Sequence, residues 1–202
     1  MMKTRATLLA RLKNSSDHES WQVFFDTYAQ LIYSVAVKSR LSKSEAEDVV
    51  QATMISVAKH MPGFKYDPKI GSFKAWLLKM TRWRISDQFR KRQKYVVGHA
   101  DGSETTKYLE YLNIEEIPAA SDFERIWEEE WKGNIIEVAV AKARRRLNPK
   151  QYQVYDLCVN KGWEAARVAE RLSISIDQVY LSKHRMTEAI KAEVDRLQKE
   201  IT

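Results

Sequence analysis

The chain has 202 residues, with 34 Lys and Arg against 27 Asp and Glu, for a formal net charge of +7 at neutral pH. A single cysteine excludes a disulfide-stapled fold. With only one cysteine and four scattered histidines, a structural zinc site is not expected. Six glycines, four prolines and a hydrophobic share of 44% exclude a disordered chain. No apolar run reaches the roughly 18 residues of a membrane span, and Arg11 and Lys13 interrupt the N-terminal apolar stretch. We therefore expect a basic, intracellular protein that stays in the cytoplasm.

The charge is distributed in three blocks. Residues 1–95 carry 18 basic and 8 acidic side chains, residues 96–133 carry 3 and 10, and residues 134–202 carry 13 and 9. Two basic modules joined by an acidic linker explain this pattern. Clustered basic charge favours a polyanion as the partner, most simply a nucleic acid.

The first half of the chain has the apolar period of α-helices. Ser16 and Glu19 have capping-box spacing and predict the start of a helix whose apolar face extends over 21–35. A second helix is predicted from about Ser44, with further capping spacing at Ser42 and Glu45. The breakers of 61–63 end it.

A third helix is predicted from its cap at Ser72 to about Tyr95. Phe73, Leu77 and Met80 form its expected core stripe. Basic groups neutralise phosphate and aromatic rings stack on unpaired bases, so interleaving the two suits a surface for single-stranded DNA. Such a stripe lies beside the core positions and comprises Trp76, Lys79, Trp83 and Arg90.

The second half is predicted to be helical after an acidic linker over 96–133. A helix is expected over 122–130, with Gly133 as the break before the next helix, 135–147. Asn148 and Pro149 then cap a helix that ends near Gly162. Cys158, among apolar neighbours, is interpreted as a core residue.

The last two predicted helices form a helix-turn-helix. One ends at Leu172, the turn is 173–175, and Ser175 and Gln178 have capping-box spacing for the final helix. In a DNA-binding motif of this kind, the side of the final helix away from its core enters the major groove. Such helix pairs also occur in proteins that never touch DNA. The core positions are Val179, Met186, Ile190 and Leu197, and the outward and flanking ones include Gln178, Tyr180, Leu181, Lys183, His184 and Arg185.

Three segments together resemble a known family. One is Glu45-Ala-Glu47-Asp48-Val-Val-Gln51; the second holds Phe73, Trp76, Leu77, Arg82, Asp87 and Arg90-Lys91-Arg92; the third holds Leu147-Asn-Pro-Lys-Gln151, Gly162, Val168, Leu172-Ser-Ile-Ser175, Val179 and His184-Arg185. The first two resemble region 2, and the third region 4, of bacterial RNA polymerase sigma factors of the extracytoplasmic-function (ECF) type in the sigma-70 superfamily. The resemblance covers about residues 20–95 and 135–195. It implies an all-α fold with a region 2 helical bundle (1–95) and a region 4 helix-turn-helix domain (134–202) joined by the acidic linker (96–133).

The resemblance also implies a function without catalytic residues, cofactor or metal. The chain would bind core RNA polymerase and direct initiation at specific promoters. Region 2 would dock on the clamp helices of the largest polymerase subunit and would recognise and help melt the −10 element. Region 4 would bind the −35 element as duplex. Candidate regulators are an anti-sigma factor and a Ser/Thr kinase.

The implied site residues fall into three groups. The polymerase-binding residues are Glu45, Glu47, Asp48, Gln51 and Ile55. The −10 residues are Tyr66, Asp67, Lys69, Ser72, Trp76, Lys79, Arg82, Trp83, Arg90 and Lys91, with a flipped base captured by the loop 66–72. The −35 residues are Gln178, Tyr180, Leu181, Lys183, His184 and Arg185.

Three positions depart from the family pattern. Trp83 stands where Asn is common, and Tyr180-Leu181 where basic and small polar residues are common. Ala52 stands where Asp or Glu is usual and removes one charge from the acidic face around Asp48. We hypothesise that a phosphate on Thr53 or Ser56 supplies that charge. On the helical wheel Ser56 is nearer the acidic face, and Thr53 falls within the apolar stripe.

Two other functions were weighed. A helix-turn-helix regulator that does not bind core polymerase is the alternative, but it leaves the basic and aromatic helix and the acidic face without a role. An enzyme is disfavoured because the sequence contains no P-loop, glycine-rich fingerprint or nucleophile–base pair.

Overall fold

The computed structural model describes residues 8–64, 72–99 and 119–201. Every regular element within these ranges is helical, which confirms the predicted all-α class. None of the helices described is both long and apolar enough to span a membrane. The elements are α1 (Leu8–Arg11), α2 (His18–Lys38), α3 (Lys43–His60) with a 3₁₀ turn (Met61–Gly63), α4 (Phe73–His99), α5 (Ala120–Arg146), α6 (Pro149–Tyr155) with a π-helical turn (Asp156–Asn160), α7 (Ala165–Leu172) and α8 (Ile176–Ile201).

The chain divides into two compact units. The first comprises Met1–Asn134 with Ile201–Thr202, and the second comprises Ile135–Glu200. The division falls inside α5, so the two parts of this helix belong to different units.

The helix starts of the first unit follow local capping chemistry, with two corrections. Asp17 rather than Ser16 caps α2, because its carboxylate accepts hydrogen bonds from Ser20 N and Ser20 Oγ at 3.1 and 2.9 Å. Ser42 rather than Ser44 caps α3, in a full capping box with Glu45. In each case the residue whose side-chain oxygen can reach the free N–H groups of the first turn decides the start.

The core of the first unit lies between α2, α3 and α4. Its buried side chains on α2 and α4 include Phe24, Tyr28, Phe73 and Leu77. Phe73 and Leu77 are thus core residues as predicted, but Met80 is only half-buried. Thr81 and Ile85 continue the stripe instead, because steps of four residues keep the face of α4 directed at its neighbours.

The predicted linker 96–133 is wrong at both ends. Helix α4 continues to His99, and α5 already begins at Ala120 and passes Gly133 without a break. Gly133 is exposed, so it can lie within a helix without leaving a gap in packing. The acidic segment 120–133 is therefore a helical part of the first unit rather than a connector.

Aromatic side chains fix α5 to the first unit. Phe123, Trp127 and Trp131 recur every four residues and are buried, with Trp127 wholly inaccessible. The ring of Trp131 stacks on that of Tyr28, with 5.8 Å between centroids. Buried Asn134 donates from Nδ2 to the carbonyl oxygen of Thr27 at 2.9 Å, which ties the end of this segment to α2.

Ion pairs surround this aromatic contact. Glu128 pairs with Lys74 of α4 at 2.6 Å, and Glu130 pairs with Lys38 of α2. The Lys74 ammonium also lies 5.5 Å from the centre of the Trp131 ring. The acidity of the segment is thus an outer face matched to lysines of α2 and α4.

The second unit contains the predicted helix-turn-helix. Val154, Leu157, Val168, Ala169 and Val179 form its small core. Ser173 caps the C-terminal end of α7 with a left-handed φ of +52°, and α8 starts from a mutual Ser175–Gln178 cap. The positive φ of Gly162 (+66°) lets the chain turn after the π-helical segment. On α8, Met186 and Leu197 are buried as expected, and Ile190 is half-buried.

Removing the Trp127 side chain should destabilise the first unit strongly. We expect Trp127→Ala to lower the free energy of unfolding by about 3–5 kcal/mol, because it leaves a large cavity between packed helices. Urea denaturation followed by circular dichroism measures the loss.

Trp83→Ala is the matched control, because the Trp83 ring is 52% exposed. This variant should stay within about 0.5 kcal/mol of the wild type. Equal stability of the two variants would contradict the structural role of 120–133.

Candidate nucleic-acid and protein interfaces

Helix α3 presents an acidic face. We use this name for Glu47, Asp48, Gln51 and Ile55, all exposed, with Ile55 at 61% of its full accessibility. Acidic groups around one exposed aliphatic side chain fit a partner surface that is basic and partly apolar. Ala52 lies half-buried beside them and adds no charge.

Glu45 was predicted to bind polymerase, but in the structure its carboxylate pairs with Arg92 of α4. Its two carboxylate oxygens accept a bidentate pair of hydrogen bonds from Arg92 Nε and Nη2. Its Oε2 also accepts from the backbone N and Oγ of Ser42, at 2.8 and 2.7 Å. The Arg92 guanidinium, helped by the Ser42 hydrogen bonds and opposed by burial, lowers the pKa of Glu45 from 4.5 to about 2. Glu45 thus joins the start of α3 to α4.

The two hydroxyls of the phosphorylation hypothesis are both buried rather than exposed on the acidic face. Ser56 is buried, donates from Oγ to Ala52 O at 2.8 Å, and accepts from Arg84 Nη2 at 2.6 Å and from Arg84 Nε at 3.1 Å. Thr53 is fully buried, and its hydroxyl has no hydrogen-bond partner among the residues that the structure describes. The wheel placed Ser56 near the acidic face, but α4 supplies an arginine that covers it.

Helix α4 carries the basic–aromatic stripe, a name we use for Trp76, Lys79, Trp83 and Arg90. The spacings of 3, 4 and 7 residues place these four side chains on one side of the helix. Lys79, Trp83 and Arg90 are exposed. The guanidinium of Arg84 lies 4.3 Å from the centre of the Trp83 ring, which orients that ring.

Trp76 packs against two aromatic rings. Its ring lies 4.8 Å from that of Phe64 and 5.6 Å from that of Phe73, and it is half-buried. Ser72 caps α4, since its Oγ accepts a hydrogen bond from Ala75 N at 3.2 Å. These residues anchor the start of the stripe.

The remaining predicted −10 residues are placed as follows. Arg82 is half-buried, with its guanidinium 5.9 Å from the ring of Phe123, so α5 engages it. Lys91 is exposed. Tyr66, Asp67 and Lys69 lie outside the described residues.

Helix α8 exposes all six of its predicted DNA-contacting residues, which are Gln178, Tyr180, Leu181, Lys183, His184 and Arg185. Gln178 also has a local role, because its Oε1 accepts from Ser175 N at 3.1 Å in the cap of α8. Ile176, which the sequence analysis did not single out, is 47% exposed on the first turn. Its position as the first residue after the cap of α8 was a sequence signal for this exposure.

Within the described residues, no three His, Cys, Asp or Glu side chains are grouped to hold a metal ion.

Comparison with known proteins tests the family resemblance. The sequence model of sigma-70 region 2 matches residues 24–95, which contain both the acidic face and the basic–aromatic stripe. The ECF RNA polymerase sigma factor SigL of Mycobacterium tuberculosis is 26% identical over 192 residues, covering 94% of this chain and 98% of SigL. The region 2 match and the relative together support a sigma factor of the ECF type in the sigma-70 family. The family resemblance predicted from the sequence is thus confirmed.

Another relative is also named as an ECF RNA polymerase sigma factor. The ECF sigma factor SigX of Bacillus subtilis is 24% identical to this sigma factor over 186 residues, covering 91% of the chain and 88% of SigX. Among solved structures, the RsbN–BldN complex and CnrH in complex with the cytosolic domain of CnrY each match at 17% identity and a TM-score of 0.35. They cover 91% and 94% of this chain and 97% and 96% of theirs.

The Glu45–Arg92 pair should make the stability of the sigma factor depend on pH. Because the folded pKa of Glu45 lies below 4.5, its stabilisation is present above about pH 5 and is lost as the pH falls towards 2. Glu45→Gln keeps an amide oxygen for Ser42 but removes the charge. We expect its free energy of unfolding to be lower than that of the wild type by roughly 1–2 kcal/mol at pH 7, and by roughly half as much at about pH 3.

Urea titrations across this pH range measure the difference. Asp17 also has a pKa lowered to about 2, chiefly by Arg11, so Asp17→Asn is the control that should leave the contribution of Glu45 intact. A constant difference between wild type and Glu45→Gln at all pH values would contradict the prediction.

Proposed function

We propose that this sigma factor binds core RNA polymerase through the acidic face and uses the basic–aromatic stripe to recognise and melt the −10 element. Helix α8 reads the −35 element as duplex. The sigma factor supplies promoter specificity in the cytoplasm and leaves the chemistry to the polymerase. An anti-sigma factor is its candidate regulator, and a kinase acting on Thr53 or Ser56 is not part of this proposal because both hydroxyls are buried.

One observation carries the proposal. Adjacent helices of a single unit present two exposed surfaces of opposite character, the acidic face on α3 and the basic–aromatic stripe on α4. A DNA-binding regulator needs only the positive one. A protein that must hold a basic partner subunit and unpaired DNA needs two surfaces. The acidic face would repel phosphate, and the basic–aromatic stripe would repel a basic partner.

The chemistry of the stripe favours melted DNA over duplex. An indole ring that is half exposed offers a flat surface for an unstacked base, and neighbouring basic groups hold the backbone. Base stacking on an aromatic ring gives roughly 1–3 kcal/mol, which offsets much of the cost of opening a base pair.

Capture of core polymerase by the full chain tests the proposal. A tagged sigma factor should retain purified core polymerase and start transcription at specific promoters. A helix-turn-helix regulator would bind DNA without retaining core, and that result would favour the alternative function.

Reversing charges on the acidic face should weaken polymerase binding. We expect the double variant Glu47→Lys/Asp48→Lys to bind core roughly tenfold more weakly, measured by fluorescence anisotropy of labelled sigma factor. The control is Asp122→Lys/Glu124→Lys, which reverses two exposed carboxylates on α5. Equal losses in both variants would show a nonspecific charge effect.

Restoring the charge at position 52 should act in the opposite direction. Ala52→Glu should strengthen core binding by up to about fivefold, the range of one surface charge pair. Ala52→Gln, which has the same size without the charge, should leave affinity unchanged. Tighter binding by both would contradict an electrostatic role for this position.

Removing the exposed indole should slow promoter opening. Trp83→Ala holoenzyme should open the −10 region about tenfold more slowly, because one stacking surface is lost. Fluorescence of 2-aminopurine placed in the −10 element reports the opening. Trp83→Phe keeps a ring and should retain part of the rate, whereas wild-type rates in Trp83→Ala would remove Trp83 from the melting surface.

A further inference from the structure

The second unit concentrates exposed apolar side chains at one place. In its described residues the large hydrophobic side chains that are exposed are Ile136, Val159, Ile176, Tyr180 and Leu181. Three of these five lie within six residues at the start of α8. We call Ile176, Tyr180 and Leu181 the apolar patch; they are 47%, 59% and 48% exposed.

Such a patch indicates a surface that is covered in function. Large apolar groups are unfavourable in water, and these three are about half exposed on the first turns of α8, although Val179 between them is fully buried. The patch is also well defined, because the mutual Ser175–Gln178 cap fixes the first turn of α8.

The place of the patch points to duplex DNA as the occupant. It lies on the first turns of the second helix in a helix-turn-helix, the part of the motif that faces base edges in the major groove. The thymine C5-methyl is the apolar group that base pairs present there, and aliphatic and aromatic side chains recognise it. Flanking Lys183, His184 and Arg185 are exposed and complement the phosphate backbone on either side.

The acidic groups near the patch favour base edges over phosphate as its target. Asp177 and Glu188 lie on the same side of α8 as Leu181, at spacings of four and seven residues. Lys191 donates a hydrogen bond to Glu188 at 3.0 Å and lowers the pKa of its carboxyl, while the side chain of Asp177 is exposed beside the patch. A phosphate would be repelled by Asp177, whereas a methyl group would not.

We propose that the apolar patch determines −35 specificity by contacting thymine methyl groups, so that this sigma factor selects promoters with thymines opposite Ile176, Tyr180 and Leu181. The inference rests on the proposed function, since it requires the holoenzyme to bind promoter duplex. It assigns Ile176 a role in promoter specificity. It also explains why Tyr180 and Leu181 stand where the family commonly has basic and small polar residues.

The test uses holoenzyme made from the full chain and core polymerase. Bound promoters are first selected from a random duplex pool, and failure of holoenzyme assembly or selection at this step would overturn the proposed function itself. Each thymine of the selected −35 element is then replaced by deoxyuridine, which pairs identically and lacks only the methyl group. We expect at least one replacement to weaken binding about fourfold, the effect of removing one buried methyl-sized group.

Variants then connect the methyl group to the patch. Leu181→Ala, Tyr180→Ala and Ile176→Ala should each be tested on both duplexes, and in at least one of them the thymine and deoxyuridine promoters should bind equally. Ile136→Ala is the matched control, an exposed isoleucine on α5, and should keep the full fourfold difference.

Two results would overturn the inference while the proposed function stands. One is equal binding of the thymine and deoxyuridine promoters by wild-type holoenzyme. The other is a deoxyuridine effect that persists in all three patch variants. Either result would show that the apolar patch does not read thymine methyl groups.

Discussion

The pair between Glu45 and Arg92 is the contact on which the placement of both surfaces in the first unit depends. It joins the first turn of α3 to the basic part of α4 through two hydrogen bonds, and Glu45 at the same time completes the cap of α3. Arg84 and Ser56 make a second polar connection between the same helices. Because each helix is fixed along its length, the acidic face and the basic–aromatic stripe keep a constant separation.

Opposite charges are used in two ways in the first unit. Some form ion pairs within the unit, namely Glu45 with Arg92, Glu128 with Lys74 and Glu130 with Lys38. Others stay exposed, as Glu47 and Asp48 do on α3 and Lys79 on α4. The paired charges hold helices together, and the exposed ones define the surfaces that we propose for polymerase and DNA. Net charge by itself does not separate these uses.

Much of this arrangement was predictable from the sequence. The apolar period located the helices from α2 to α8, and the side of α4 with Trp76, Lys79, Trp83 and Arg90 followed from spacing alone. The six residues predicted on α8 are all exposed. What could not be predicted was the fate of polar groups whose partners lie far along the chain. Ser56 is covered by Arg84, 28 residues away, and the 120–133 segment packs by aromatic rings against residues about 100 positions earlier.

The sequence by itself determined the family, the helical class and the outward sides of α3, α4 and α8, because helix periodicity and capping act over a few residues. Only the tertiary structure decided that Glu45 serves the fold, that Thr53 and Ser56 are buried, and that the acidic segment before Asn134 belongs to the first unit. The physical reason is that burial and ion pairing depend on which helices meet. Glu45, for example, has no arginine or lysine three or four positions away on α3, and it gains its partner Arg92 only when α4 packs beside it.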